Sequence, residues 1–157
     1  MLHLPNLTET FLRLLAATAI GCAIGLNRDL RGKPAGLRTH SLVTLGSALL
    51  ALTMLRMSLT SGGIPADALS RVIQGIVTGI GFLGAGVIIR DGAGKVQGLT
   101  TAATIWVSAA LGIVCGVGYG EIVTCSVVLI FAVLLLGGPV EQWVERKFGK
   151  PKDGDAP

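Results

Sequence analysis

Charge is absent from five stretches of the chain: Leu14–Asn27, Thr39–Leu55, Val72–Ile89, Val96–Gly120 and Ile122–Val140. The charged residues gather in the gaps between them. A helix crossing the hydrocarbon of a bilayer needs roughly 20 predominantly apolar residues, with a usual range of about 17–25. The last four runs reach that length unaided. Helices of water-soluble domains carry a polar face along their length, and these do not. The pattern predicts an all-α, polytopic membrane helical bundle of about five transmembrane helices. The first run has only 14 residues. It becomes a span over about Thr8–Leu26 if Arg13 extends its charged end toward the headgroups. A cleaved signal peptide is the rival reading, disfavoured because no Lys or Arg precedes Arg13.

The connections are short except for Arg56–Arg71, which contains the turn-rich Ser61-Gly62-Gly63-Ile64-Pro65. Gly118-Tyr119-Gly120-Glu121 predicts a tight hairpin. After the fifth run, Val140, Trp143, Val144 and Phe148 recur at helical spacing among charges, as in a short interfacial helix anchored by Trp143. Gly149–Pro157 reads as a disordered tail. The organisation expected is a transmembrane domain over 1–140, followed by a cytoplasmic interfacial helix and tail over 141–157.

Charge sets the expected orientation. With five spans, Arg28, Arg31, Lys33, Arg38, Arg90, Lys95, Arg146, Lys147, Lys150 and Lys152 fall on one side, ten of the 13 basic residues. Arg13, Arg56 and Arg71 fall on the other. Cytoplasmic loops carry the Lys/Arg excess, so the N-terminus is expected outside and the C-terminus inside.

Composition agrees with a membrane protein: 14% of residues are charged, against about 25% in soluble domains. The 23 glycines and 4% aromatics suit helices that approach closely in lipid. No nucleic-acid partner is expected.

Candidate chemistry is sparse. Gly79-Ile80-Gly81-Phe82-Leu83-Gly84 fits GxGxxG, but no strand precedes it and it sits inside an apolar span, so a dinucleotide site is rejected. Gly75, Gly79, Gly81, Gly84 and Gly86 instead strip a helix for close packing, or allow it to break. Gly21/Gly25 and Gly112/Gly116 repeat the small-residue spacing, consistent with packing inside the chain or with a homo-oligomer. Cys22, Cys115 and Cys125 read as small packing residues. They show no CxxC pairing, and neither His3 nor His40 completes a metal-ligand spacing. Thr101, Thr104 and Ser108 share a helical face, either bonded to backbone or lining a polar cleft with Gln74 and Thr78. No Asp or Glu lies inside a charge-free run. Asp29 and Asp91 sit at the basic edge, Asp67 and Glu121 at the opposite edge. As oxygen donors for a hard cation such as Mg²⁺, Asp67 and Glu121 are the candidate outer metal site. No nucleophile, base and third group suggest catalysis, and no cofactor is expected beyond Mg²⁺ as a ligand or transported ion.

Read together, several segments form a longer pattern. They are Gly25-Leu26-Asn27-Arg28, Lys33-Pro34-Ala35-Gly36-Leu37-Arg38-Thr39-His40, Arg71-Val72-Ile73-Gln74-Gly75, Gly79–Gly86 and Gly98–Trp106. The pattern resembles the MgtC/SapB family of bacterial inner-membrane proteins over roughly Gly21–Gly120. The resemblance implies a five-helix domain with its N-terminus outside and an association with magnesium limitation. It implies regulation of a membrane partner, such as the membrane part of ATP synthase, as the function. A Mg²⁺ or other cation transporter is the alternative. Carried over by position, the pattern places weight on Arg28, Arg38, Thr39 and His40 at the inner mouth, on Asp67 and Arg71 at the outer end, and on the Gly79–Gly86 and Thr100–Trp106 segments. Thr39 is expected to cap the second helix, and Arg38 to pair with Asp29 or Asp91 or to contact a ligand. Larger family members carry a soluble domain resembling ACT modules, which is expected to be missing here, since about 17 residues follow the last span.

Overall fold

Asn6 starts the first helix. Its side-chain oxygen accepts the Glu9 N–H at 2.7 Å, and the acidic Glu9 in the first turn suits the positive helix end. The resulting helix α1, Leu7–Leu30, has 24 residues and is about 36 Å long, enough to cross the roughly 30 Å hydrocarbon core. The computed structural model describes residues 5–60, 66–90, 94 and 96–148. The remaining elements are α2 (Leu37–Thr60), α3 (Ala66–Val87), β1 (Ile89–Arg90), β2 (Val96–Gln97), α4 (Leu99–Val117) and α5 (Gly120–Phe148). All five helices are long and apolar enough to span a membrane.

The charged end of Arg13 reaches back toward the start of α1. It donates to the Gly116 and Val117 carbonyls at 3.0 and 2.7 Å and pairs with Glu9 one turn earlier. Those carbonyls belong to the end of α4, where no intrahelical donor remains for them. Gly118, at φ 95°, closes α4 by donating to the Val114 carbonyl at 3.0 Å, a left-handed cap that suits glycine.

The chain divides into two units, 1–123 and 124–157. In the first, α2 packs on both α1 and α4, and α3 packs mainly on α4. The approach is at backbone distance. A Cβ at Gly21 would lie 2.6 Å from the His40 carbonyl, and one at Gly25 would lie 2.7 Å from the Gly36 carbonyl. One at Gly112 would meet Ser47 Cβ at 2.8 Å, and one at Gly116 would run into the Ala48 backbone. Ile76 and Ile80 of α3 pack with Ile105 and Ala109 of α4. Ala17, Ala48 and Cys115 join α1, α2 and α4 in a second small core.

Two expectations change. Helix α3 is continuous, and its glycines do not seat a neighbouring helix of the first unit at backbone distance. A Cβ at Gly75, Gly79, Gly81 or Gly86 would meet nothing within 4 Å, and one at Gly84 makes an ordinary 3.6 Å contact with Ala102. The loop between α3 and α4 contains a two-residue antiparallel ladder, Ile89 opposite Gln97 and Arg90 opposite Val96. This pairing is too short to leave a period in the sequence.

In the second unit, α5 runs without a break through Pro139 to Phe148. Residues 141–148 are therefore the end of a 29-residue helix, about 43 Å long, rather than a separate element. Lys147 Nζ lies 4.9 Å from the Trp143 ring centroid, a cation–π contact suited to a membrane boundary. The expected tail, Gly149–Pro157, lies outside the described residues.

Candidate functional site

The turn between α1 and α2 builds the site. Asp29, near the end of α1, accepts the Leu37 N–H at 2.9 Å and so caps the first turn of α2 from a neighbouring helix. Gly36 lies against this carboxylate, with no room for a Cβ. Thr39 is consequently not the cap. It is the third residue of α2 and is exposed. Arg38 is exposed, and among the described residues it forms no ion pair with Asp29, whose carboxylate is used on the backbone. Asp91 lies outside the described residues.

One turn into α2, His40 is 0% exposed. Its Nδ1 faces the Gly36 carbonyl at 3.0 Å. A carbonyl only accepts, so Nδ1–H donates. In the neutral ring Nε2 is then the acceptor. It receives the Thr104 hydroxyl of α4 across 3.2 Å. The Thr101 carbonyl, 2.9 Å from the same hydroxyl, is its competing acceptor.

Arg28 completes the cluster. It is 4% exposed, donates through Nη2 to the Thr101 hydroxyl, and buries Nε with no partner among the described residues. Ser108 donates to the Thr104 carbonyl at 2.8 Å, and Thr44 to the His40 carbonyl at 3.0 Å. Ser41 spends its proton on the Leu37 carbonyl at 2.6 Å, so the Cys22 thiol donates to Ser41 Oγ across 3.0 Å.

The hydroxyl face Thr101–Thr104–Ser108 therefore turns toward α1 and α2. Thr104 and Ser108 reach backbone carbonyls of their own helix, as in the first of the two readings. The alternative cleft is not formed: Gln74 and Thr78 are exposed on α3. Helical spacing identifies a face but not the helix that covers it. Asp67 and Arg71 are exposed in the first turns of α3, and Glu121 is exposed in the first turn of α5. Among the described residues no three His, Cys, Asp or Glu side chains are placed to hold a metal ion. The residues that sequence reasoning passed over are Asp29 as a helix cap, Ser41 and Thr44 as helix-interface hydroxyls, and Arg13 as the clasp on α4. Only Asp29 had a local signal, in its position just before a turn rich in Gly and Pro.

The cluster is thus a cation and an imidazole set among hydroxyls, with no carboxylate bonded to either ring or guanidinium among the described residues. It is suited to holding an acceptor or an anion, and it repels a cation. Five helices long and apolar enough to span a bilayer, with buried Arg28 and His40 at the α1–α2 end, define a polytopic α-helical membrane protein.

The particular family follows from comparison: residues 14–143 match the MgtC family model, and the chain belongs to the MgtC family. It is 45% identical over 133 residues to Protein SrpB of Synechococcus elongatus, covering 80% of this chain and 72% of that protein. It is 44% identical over 126 residues to Protein MgtC of Salmonella typhimurium, covering 80% of this chain and 51% of that protein. Protein MgtC of Brucella abortus is 42% identical over 139 residues, with 88% and 56% covered. The chain therefore spans about half the length of these MgtC relatives. No solved structure gives a significant match.

Proposed function

We propose that this protein is a non-enzymatic component of the bacterial inner membrane that supports adaptation to low Mg²⁺ by modulating a membrane partner, such as the membrane part of ATP synthase. In this reading its C-terminus is cytoplasmic. Family membership supplies the link to magnesium. The observation that favours modulation over transport is the buried Arg28 beside His40, at the polar centre of the α1–α2–α4 packing.

A Mg²⁺ pathway along these helices would need hard oxygen ligands, usually one or two carboxylates with waters. It would instead meet a guanidinium. At an effective dielectric of about 20, a divalent cation about 8 Å from Arg28 is repelled by roughly 4 kcal/mol. The rival reading, cation transport with Asp67 and Glu121 at the outer mouth, has two exposed carboxylates and no third ligand among the described residues.

The test is a strain lacking the gene, grown at limiting Mg²⁺ with uptake measured directly. The expected result is impaired growth with unchanged initial uptake. Impaired growth accompanied by a matching loss of uptake would overturn the modulation reading in favour of transport.

A further inference from the structure

Arg28 is buried without a counter-ion among the described residues. A guanidinium carries five N–H donors and no acceptor. Among the described residues Arg28 bonds only the neutral hydroxyl of Thr101, and its Nε is buried without a partner. A charge buried without a counter-ion is strongly destabilising. The nearest acid in sequence, Asp29, is committed to the Leu37 N–H. His40 and Thr104 are committed to each other and to backbone.

The location narrows what could balance the charge. Arg28 lies two residues before the end of α1, a helix long enough to bring its last turn to the depth of lipid headgroups. The next turn carries exposed Arg31 and Lys33, and exposed Arg38 follows at the start of α2. Lys33 N–H bonds the Arg28 carbonyl at 3.0 Å, folding that basic turn back onto it. An anion arriving at this boundary would be drawn by the exposed cations and fixed by the buried fork. The planar fork of arginine matches phosphate oxygens two at a time, which an ammonium cannot do.

We propose that Arg28, positioned by Thr101, is the anchor of a phosphate-binding site at the α1–α2 turn, taking either the phosphate of an anionic lipid headgroup or free phosphate. The site uses the same buried Arg28 that carries the proposed function, but unfolding shifts test it without measuring growth or Mg²⁺ flux. Charge neutralisation on binding stabilises the fold, so the ligand and the bundle are linked.

The experiment is thermal unfolding of the whole purified protein in a neutral detergent. Separate arms add phosphatidylglycerol, inorganic phosphate, or sodium chloride at matched ionic strength. Wild type is expected to gain several degrees in one of the first two arms and none with chloride. Phosphatidylglycerol alone identifies the headgroup as the source, and inorganic phosphate identifies the free ion. In Arg28→Gln the unliganded protein should be as stable as wild type or more so, because an uncompensated charge has been removed. Its gain on adding the probe should be lost, with affinity weakened about tenfold or more, as expected for a charge-assisted bond. Arg28→Lys keeps the charge without the fork and should recover only part of the gain. Arg38→Gln, which removes an exposed charge, should keep it.

No gain in wild type with either phosphate source overturns the assignment, whatever the variants do. So does a gain undiminished in both Arg28 variants. A gain produced only by a transmembrane peptide bearing a central Glu also overturns it, since that would make the ligand a protein carboxylate.

Discussion

Arg13, in the second turn of α1, donates to the carbonyl of Val117 at 2.7 Å, 104 residues away at the last turn of α4. A second bond to Gly116 at 3.0 Å and the pair with Glu9 hold the guanidinium in place. One side chain thus closes a helix end and fastens the first helix to the fourth. Arg13→Gln should lower stability by about 1–3 kcal/mol, because buried carbonyls lose a charged donor. Thermal unfolding in detergent measures this, and Arg13→Lys should fall in between.

The cap supplied by Asp29 makes a graded prediction. Asp29→Asn keeps an oxygen for the Leu37 N–H and should cost little. Asp29→Ala removes it, at a cost of about 1 kcal/mol, the usual loss for a helix cap. Gly36→Ala places a methyl group against the Asp29 carboxylate and should be worse than either. A chemical-unfolding series on the three variants gives the order.

Glycines that look alike in sequence should respond oppositely. Gly112→Val puts bulk against the Thr44 carbonyl and Ser47 Cβ, and overpacking of this kind costs about 1–3 kcal/mol. Gly79→Ala meets open space within the chain and gains helix propensity of up to about 1 kcal/mol. Unfolding midpoints should fall for the first and hold or rise for the second.

The five spans were legible because hydropathy is a local quantity. Their ends were not: α1 and α5 both run past their charge-free stretches into charged turns. What faces what was not legible either. Spacing put Thr101, Thr104 and Ser108 on one face, but the choice between α3 and the α1–α2 pair depends on long-range packing. The same limit applies to glycine patterns: Gly21 and Gly112 meet α2 at backbone distance, whereas Gly75 and Gly79 meet nothing within 4 Å. The Arg28–Thr101 bond joins residues 73 positions apart, and no period records it. Pro139 was also uninformative, since a membrane helix can pass through proline when its freed backbone groups are otherwise satisfied. The basic residues told where Arg28 sits along the chain, but not that it turns inward.

The proposal that this bundle is a modulator and not a cation pathway rests on buried Arg28. The direct measurement is Mg²⁺ flux into liposomes containing only this protein, folded and correctly inserted, with an inward gradient and an entrapped indicator. The predicted result is flux no greater than in protein-free liposomes, for wild type, Asp67→Asn and Glu121→Gln alike. Robust flux in wild type that Asp67→Asn abolishes would contradict the account.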